Sequence, residues 1–281
     1  MDSVPASSSS SVPSAQDFQG NIERFSGFAR DYDHYRPEPP HDLSRLLAAY
    51  GGFDALSLVI DLGSGTGLST RYWADKSEQV IGVEPSSDMR SEALAEGGPD
   101  NVTYREGFAH ETGLPDHCAE IVCCSQALHW MVPQPTFIEA ARLLKPGGVF
   151  ACCDYDWPPL SGSWQADLAF EECLGRLDLL EQELGLAQRL QRWDKSGHLA
   201  RMRASGCFRD AREALLHHGD QGNAERLVGL LLSQGSTMNL LKSGQSEEQL
   251  GISELRQIAE QTLGALPVPW LWSARVRMGV V

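Results

Sequence analysis

The chain has 281 residues, 42% hydrophobic and 22% charged, which is ordinary globular composition and enough length for one large α/β domain or two small ones. Its 38 acidic residues against 23 Lys and Arg give a formal charge of -15, which repels phosphate backbones. Without a Lys/Arg cluster a small-molecule partner is expected and nucleic acid is not. No apolar run reaches the roughly 18 residues that a membrane-spanning helix needs, so no membrane partner is expected either.

Met1 to Ala15 is Ser- and Pro-rich and lacks the basic start and apolar core of a secretory signal, so residues 1–17 are expected to be a disordered tail. Residues 18–281 are expected to form one domain: N-terminal helices over 18–50, a ligand-binding core over 51–156, helical cap segments over 157–205 and 220–265, and edge strands over 206–219 and 266–281. Leu43, Leu46, Leu47 and Tyr50 have helical spacing, and the apolar run Leu58 to Leu62 reads as the first strand. A helix is expected over 68–75, a second strand over 79–83, and a helix capped by Ser86 or Ser87 that reaches Glu96. Strands follow at 102–106 and 121–125, then a helix from Pro133 to Leu144 and a turn at Lys145-Pro146-Gly147-Gly148 before a fifth strand at 149–153. Phe170, Leu174, Leu177, Leu180 and Leu184 form a helical stripe in an insertion after that strand, and Leu227, Leu230, Leu231 and Ile252, Leu255, Ile258 form two more. Strand-like patterns close the chain at 211–217 and 270–280. Strands alternating with helices in this way indicate a doubly wound α/β sheet.

The seven cysteines are odd in number and contain no C-x-x-C pair, which argues against a disulfide framework or a zinc ribbon and favours the cytoplasm. Cys123-Cys124 and Cys152-Cys153 fall in neighbouring strands and read as core packing rather than a soft-metal thiol site. No metal is expected.

Val59-Ile60-Asp61-Leu62-Gly63-Ser64-Gly65-Thr66-Gly67 is an apolar strand ending in an acid and a tight glycine turn. Glycines stand where the backbone must take positive φ or approach a ligand closely, and the following helix turns its free N–H groups to that ligand. The spacing is G-x-G-x-G, with Leu68 where a dinucleotide fingerprint has its third glycine, so an NAD-dependent oxidoreductase is disfavoured. Glu84 closes the second strand, at the distance where an acid can accept ribose hydroxyls.

These residues resemble motif I of the class I S-adenosylmethionine-dependent methyltransferases. The segments Gly107-Phe108-Ala109, Thr112 to Asp116, Gln126-Ala127-Leu128-His129-Trp130 and Leu144 to Gly148 extend the similarity to the type 11 methyltransferase group, especially its branch similar to trans-aconitate methyltransferases. The resemblance implies a seven-stranded Rossmann-like sheet with an antiparallel last strand, S-adenosylmethionine as cofactor, and methyl transfer to a small organic acceptor through oxygen, nitrogen or a carboxylate. It implies that Asp61 receives the methionine amino group, directly or through water. Gly63, Ser64, Gly65 and Gly67 would shape the cofactor loop, Glu84 hold the ribose, and Ser125 with Gln126 line the methionine end. Ala109 matches the adenine contact, while Phe108 replaces the acid of many relatives and either lies on the adenine face or fills core. Phe25, Phe28, Ala29, Tyr32, Tyr35 and Arg36 would belong to a lid over cofactor and substrate. Tyr32, Arg36, Trp130, Asp154 and Tyr155 are the candidate acceptor contacts, with Arg36 suited to a carboxylate. His129 is the candidate base for an acceptor that carries a proton. The alternative is a fold relative that keeps the cofactor in a regulatory or non-methylating role.

Overall fold

A computed structural model describes residues 19–24 and 33–281 of the chain. Phe25, Phe28, Ala29, Tyr32 and the expected N-terminal tail lie outside the described residues. Seven strands form one sheet, β1 Leu58–Leu62, β2 Gln79–Val83, β3 Val102–Arg105, β4 Ala119–Ser125, β5 Leu144–Tyr155, β6 Asp210–Gly222 and β7 Val268–Val280, in the order β3-β2-β1-β4-β5-β7-β6. The pairs among β1 to β5 are parallel, and β7 runs antiparallel to both β5 and β6.

Strands β1 and β4 are buried and, apart from Asp61, Glu120 and Ser125, apolar, because helices cover both faces of a parallel sheet. Leu43, Leu47, Trp73, Phe170, Leu227 and Trp272 pack on one face, and Leu128, Phe137, Phe150 and Met202 on the other. Cys124 lies directly opposite Cys152 across the β4–β5 pair, and both are buried as small core residues.

The structure differs from the sequence reading at three places. The fifth strand begins at Leu144, which pairs with Ala119, and the ladder resumes at Ile121 opposite Val149. The Lys145–Gly148 turn is therefore an excursion within the strand, with Gly147 at φ 81°. Strands β6 and β7 pair over their whole lengths, from Asp210 opposite Val280 to Gly222 opposite Val268, so both exceed their apolar patterns. In the helix Trp164–Glu183 the buried side is Ala166, Ala169, Phe170, Cys173, Leu177 and Glu181, while Leu184 is the C-cap and exposed.

Strand order reverses between β1 and β4, the switch point at which open α/β sheets bind ligands beyond the carboxyl ends of their strands. The loops after β1, β2, β4 and β5 all open there.

Candidate functional site

A cavity sits at that switch point. Its floor is Gly63 to Thr66 after β1, Glu84 to Ser86 after β2, Phe108 to His110 after β3 and Ser125 to Ala127 after β4. Its roof and far wall include Asn21, Arg36, Trp130, Tyr155 and Trp157.

The glycine loop is held from below. The N–H groups of Gly63 and Ser64 donate to the Val83 carbonyl at 2.8 and 3.2 Å, which fixes the loop to the end of β2. Gly65 has φ 55°, and a Cβ there would meet no atom of the described residues within 4 Å. Glu84 accepts from the Gly65 N–H at 3.0 Å and from the Ser86 N–H at 2.9 Å. Burial raises its pKa above the ordinary glutamate value, and the two backbone donors and Arg90 oppose that rise. Each carboxylate oxygen retains accepting capacity beyond those bonds. The Ser64 hydroxyl oxygen and Gln126 Nε2 are buried without a hydrogen-bond partner among the described residues, and both residues line the cavity. A bare glycine, an acid and unmet polar atoms form a cradle for a ligand rich in hydroxyl and charged groups.

Of the candidates named from sequence, Gly63, Ser64, Gly65, Glu84, Phe108, Ala109, Ser125, Gln126, Arg36, Trp130 and Tyr155 line this cavity. Four of the described candidates do not meet there. Tyr32 lies outside the described residues. Gly67 is turned away, and a Cβ on it would fall 2.1 Å from the Tyr104 hydroxyl, so its task is internal packing. Asp61 is fully buried beneath the loop, where it accepts from the Thr70 hydroxyl at 2.8 Å. Burial pushes its pKa up to about 7, against the opposing hydrogen bonds from Thr70, Ser69 and Cys123. His129 is also set behind the wall, in the turn Leu128–Trp130, with its ring 4.7 Å from that of Trp130. Its Nδ1 is 3.9 Å from Asp154, too far for a hydrogen bond, and burial together with the nearby cations Lys195 and Arg192 holds its pKa well below the ordinary histidine value.

Asp154, expected as an acceptor contact, is buried and does not line the cavity. β5 continues through this residue, and its carboxylate is paired with Arg277 of β7 at 3.0 Å and Lys195 at 3.0 Å. Arg277, only 3% exposed, also meets Glu213 of β6 at 2.8 Å. Tyr155, the next residue, points to the opposite face and donates from its hydroxyl to the Glu38 carbonyl.

Arg36 has an organised position. Nε and Nη2 donate to the Ser233 hydroxyl at 2.9 Å and the Ser233 carbonyl at 3.0 Å, and the guanidinium lies 4.8 Å from the centroid of Trp157. Phe108 packs its ring 5.5 Å from that of His110 on the cavity wall.

Sequence reasoning missed several contributors. Asp33 accepts from the Thr66 hydroxyl and pairs with Arg71, tying the N-terminal segment to the glycine loop. Asn21 donates to the carbonyls of Trp130 at 3.2 Å and Gln191 at 2.9 Å, tying the same segment to the far wall. Met89 and Met131 complete the apolar lining. Nothing in their local spacing marks Asp33 or Asn21, whereas Met131 directly follows Trp130 and was within reach. Among the described residues no helix is long and apolar enough to cross a membrane, and no group of His, Cys, Asp and Glu side chains is placed to hold a metal.

A family model for the methyltransferase domain matches residues 60–152, the span from β1 to β5 that builds the cavity floor. These residues are a class I methyltransferase domain. The methyltransferase domain takes S-adenosylmethionine as its cofactor, and the cradle suits that molecule's ribose and amino-acid groups. An uncharacterised methyltransferase of Mycobacterium bovis is 36% identical over 118 residues, covering 42% of this chain and 46% of that protein. The malonyl-[acyl-carrier protein] O-methyltransferase of Pectobacterium atrosepticum is 30% identical over 151 residues, covering 52% of this chain and 58% of that protein. The chain thus spans about half the length of the curated relatives it matches. Among solved structures, one described as a type II methyltransferase from Anaeromyxobacter dehalogenans superposes with a TM-score of 0.63 at 22% identity, over 88% of this chain and 98% of that one. The [4+2]-cyclase SpnF has the same fold, with a TM-score of 0.51 at 15% identity over 96% of this chain and 98% of its own. Likeness at these identities concerns the fold, and a cyclase within it means that fold alone does not define the reaction.

Proposed function

We propose that the protein transfers a methyl group from S-adenosylmethionine to a small organic acid, at a carboxylate oxygen, in the cytoplasm. The observation that carries this reading is the makeup of the cavity wall: it includes Arg36 stacked on Trp157, while the sequence candidate for proton chemistry, His129, is not among the lining residues. His110 also lines the wall, beside Phe108 after β3.

When bound, S-adenosylmethionine supplies a methyl group on a positively charged sulfur. An alcohol or amine acceptor must shed a proton during transfer, and a base must stand within hydrogen-bond reach to take it. A carboxylate attacks without one and needs a cation to hold it, a task that suits a guanidinium. In this reading Glu84 holds the ribose hydroxyls, Ser125 and Gln126 border the amino-acid end, and Phe108 and Ala109 border the adenine. Arg36 holds the acceptor while Trp130, Tyr155 and Trp157 exclude water around it. Orientation of this kind supplies about 7 to 11 kcal/mol of barrier reduction in favourable cases. A relative named for O-methylation of malonyl-[acyl-carrier protein] supports oxygen as the acceptor atom, and seven free cysteines support a reducing compartment.

The test combines calorimetric titration with S-adenosylmethionine, S-adenosylhomocysteine and NADH with transfer of labelled methyl to panels of carboxylic acids, alcohols, phenols and amines. Tight binding of both sulfur nucleosides and a base-labile labelled product from the acids is expected. Labelled product only from amines or phenols overturns the acceptor, and binding without transfer to any panel favours the non-methylating role.

A further inference from the structure

A line of paired charges crosses the sheet and ends on the cavity. Glu213 of β6 meets Arg277 of β7 at 2.8 Å, Arg277 meets Asp154 of β5 at 3.0 Å, and Asp154 meets Lys195 at 3.0 Å. Lys195 starts the short turn Lys195–Gly197 of the insertion after β5, and its ammonium donates to Oε1 of Gln126 at 2.9 Å. Gln126 holds a left-handed backbone at φ 53°, and its N–H donates to the Cys153 carbonyl at 2.8 Å, so the residue is fixed at both backbone and side chain. The other amide atom, Nε2, is buried without a hydrogen-bond partner among the described residues.

A primary amide has one accepting end and one donating end, and an ammonium tolerates only the acceptor. Lys195 therefore decides which way the Gln126 amide faces, and leaves its two N–H donors for a ligand. Leaving such a donor buried and unmet is costly, so a ligand acceptor that meets it gains affinity. The neighbouring Ala127 borders the glycine loop, where a Cβ on Gly63 would come within 2.9 Å of the Ala127 Cβ. Gln126 itself lines the cavity together with Gly63, Ser64 and Gly65.

Building on the reading of this cavity as an S-adenosylmethionine site, we propose that Lys195 is a positioning residue that orients the Gln126 amide to donate to the carboxylate of the cofactor's amino-acid end. The charge line behind it holds the ammonium in place, and places this task on a residue of the insertion rather than of the matched domain.

The test is calorimetric titration of the full chain with S-adenosylhomocysteine, which carries the carboxylate, and with 5′-methylthioadenosine, which lacks the amino-acid end. Lys195→Met is expected to weaken S-adenosylhomocysteine by about tenfold or more, the cost of a charge-assisted hydrogen bond, and to leave 5′-methylthioadenosine within about twofold by the same arithmetic. Lys195→Arg restores the difference. Gln126→Glu keeps the acceptor for Lys195 but removes the donor, so the same selective loss is expected without disturbing the charge line. Equal weakening of both nucleosides in Lys195→Met, or no change in either, overturns the assignment while the cofactor reading stands. Failure of the unaltered chain to bind S-adenosylhomocysteine overturns both.

Discussion

The Gly65 N–H donates to the carboxylate of Glu84, nineteen residues further on, at 3.0 Å. One side chain thereby joins the ends of β1 and β2 and shapes the loop while it faces the cavity. Glu84→Ala removes the acceptor for two backbone donors and, in the proposed site, for the ribose hydroxyls. A loss of about 1 to 3 kcal/mol in stability is expected, together with at least about tenfold weaker S-adenosylmethionine binding. Urea unfolding and titration of the variant check the two parts separately, and unchanged cofactor affinity in a folded variant removes Glu84 from the site.

The three glycines of the loop are not equivalent, and alanine distinguishes them. At Gly67 a methyl group collides with the Tyr104 hydroxyl at 2.1 Å and with Arg71 at 2.7 Å, so Gly67→Ala is expected to lower stability first. At Gly65 a methyl group meets nothing among the described residues, so the cost there is that of the left-handed backbone, about 1 to 2 kcal/mol. Any further loss must come from the ligand. Gly65→Ala is expected to weaken cofactor by more than about tenfold with a modest shift in unfolding midpoint, a combination that separates ligand contact from packing.

Much of the sheet was readable because parallel strands buried on both faces leave continuous apolar runs, and β1 and β2 appear where those runs stand. Gly63, Gly65 and Glu84 were readable because their tasks are local: a turn, and an acid at a strand end. Asp154 was misread because its partners are distant in sequence. Adjacency to the end of β5 suggested an acceptor contact, but the strand runs on and alternation turns Asp154 to Arg277 and its neighbour Tyr155 to the other face. The depth of His129 was not legible for a related reason, since motif position does not say whether a side chain reaches a cavity. Asp33, Asn21 and Lys195 act through contacts that no local pattern encodes.

Asp61 gives a pH dependence whose sign follows from its environment. Burial raises its pKa from the ordinary 3.8 to about 7, so between those values the folded protein holds a proton that the unfolded chain releases. Stability from this group is therefore highest in acid and falls as pH rises through that window, by at most about 4 kcal/mol. The buried His129 and His198, whose pKa values are lowered, act in the opposite direction, so the effect has to be read as a difference between variants. Asp61→Asn stays neutral throughout, and the stability of the unaltered chain minus that of the variant is expected to decline between about pH 4 and 7. Urea midpoints across that range measure it, and a flat difference removes the raised pKa.

His129 is expected to be dispensable for chemistry. Its Nδ1 is 3.9 Å from Asp154 and has no hydrogen-bond partner among the described residues, its ring packs on Trp130, and it is not among the residues that line the cavity. His129→Gln should retain kcat within a few-fold and leave no lost inflection in the pH–rate profile near the ordinary histidine pKa. Loss of turnover in a folded variant with normal cofactor affinity returns the base role to His129 and disfavours a carboxylate acceptor.

Arg36 carries the acceptor assignment, and its lysine variant tests it with charge preserved. The guanidinium is fixed by two hydrogen bonds to Ser233 and by the face of Trp157. Lysine keeps the cation but has neither the fork that meets the Ser233 hydroxyl and carbonyl together nor a planar group to stack, so its ammonium is less well placed. For an acid acceptor, Arg36→Lys is expected to raise KM by about tenfold and to change S-adenosylmethionine affinity by less than about twofold. Steady-state kinetics and titration separate the possibilities. A variant that loses cofactor affinity while KM for the acid holds steady assigns Arg36 to the cofactor's own carboxylate, and the acceptor must then be held by the aromatic walls alone.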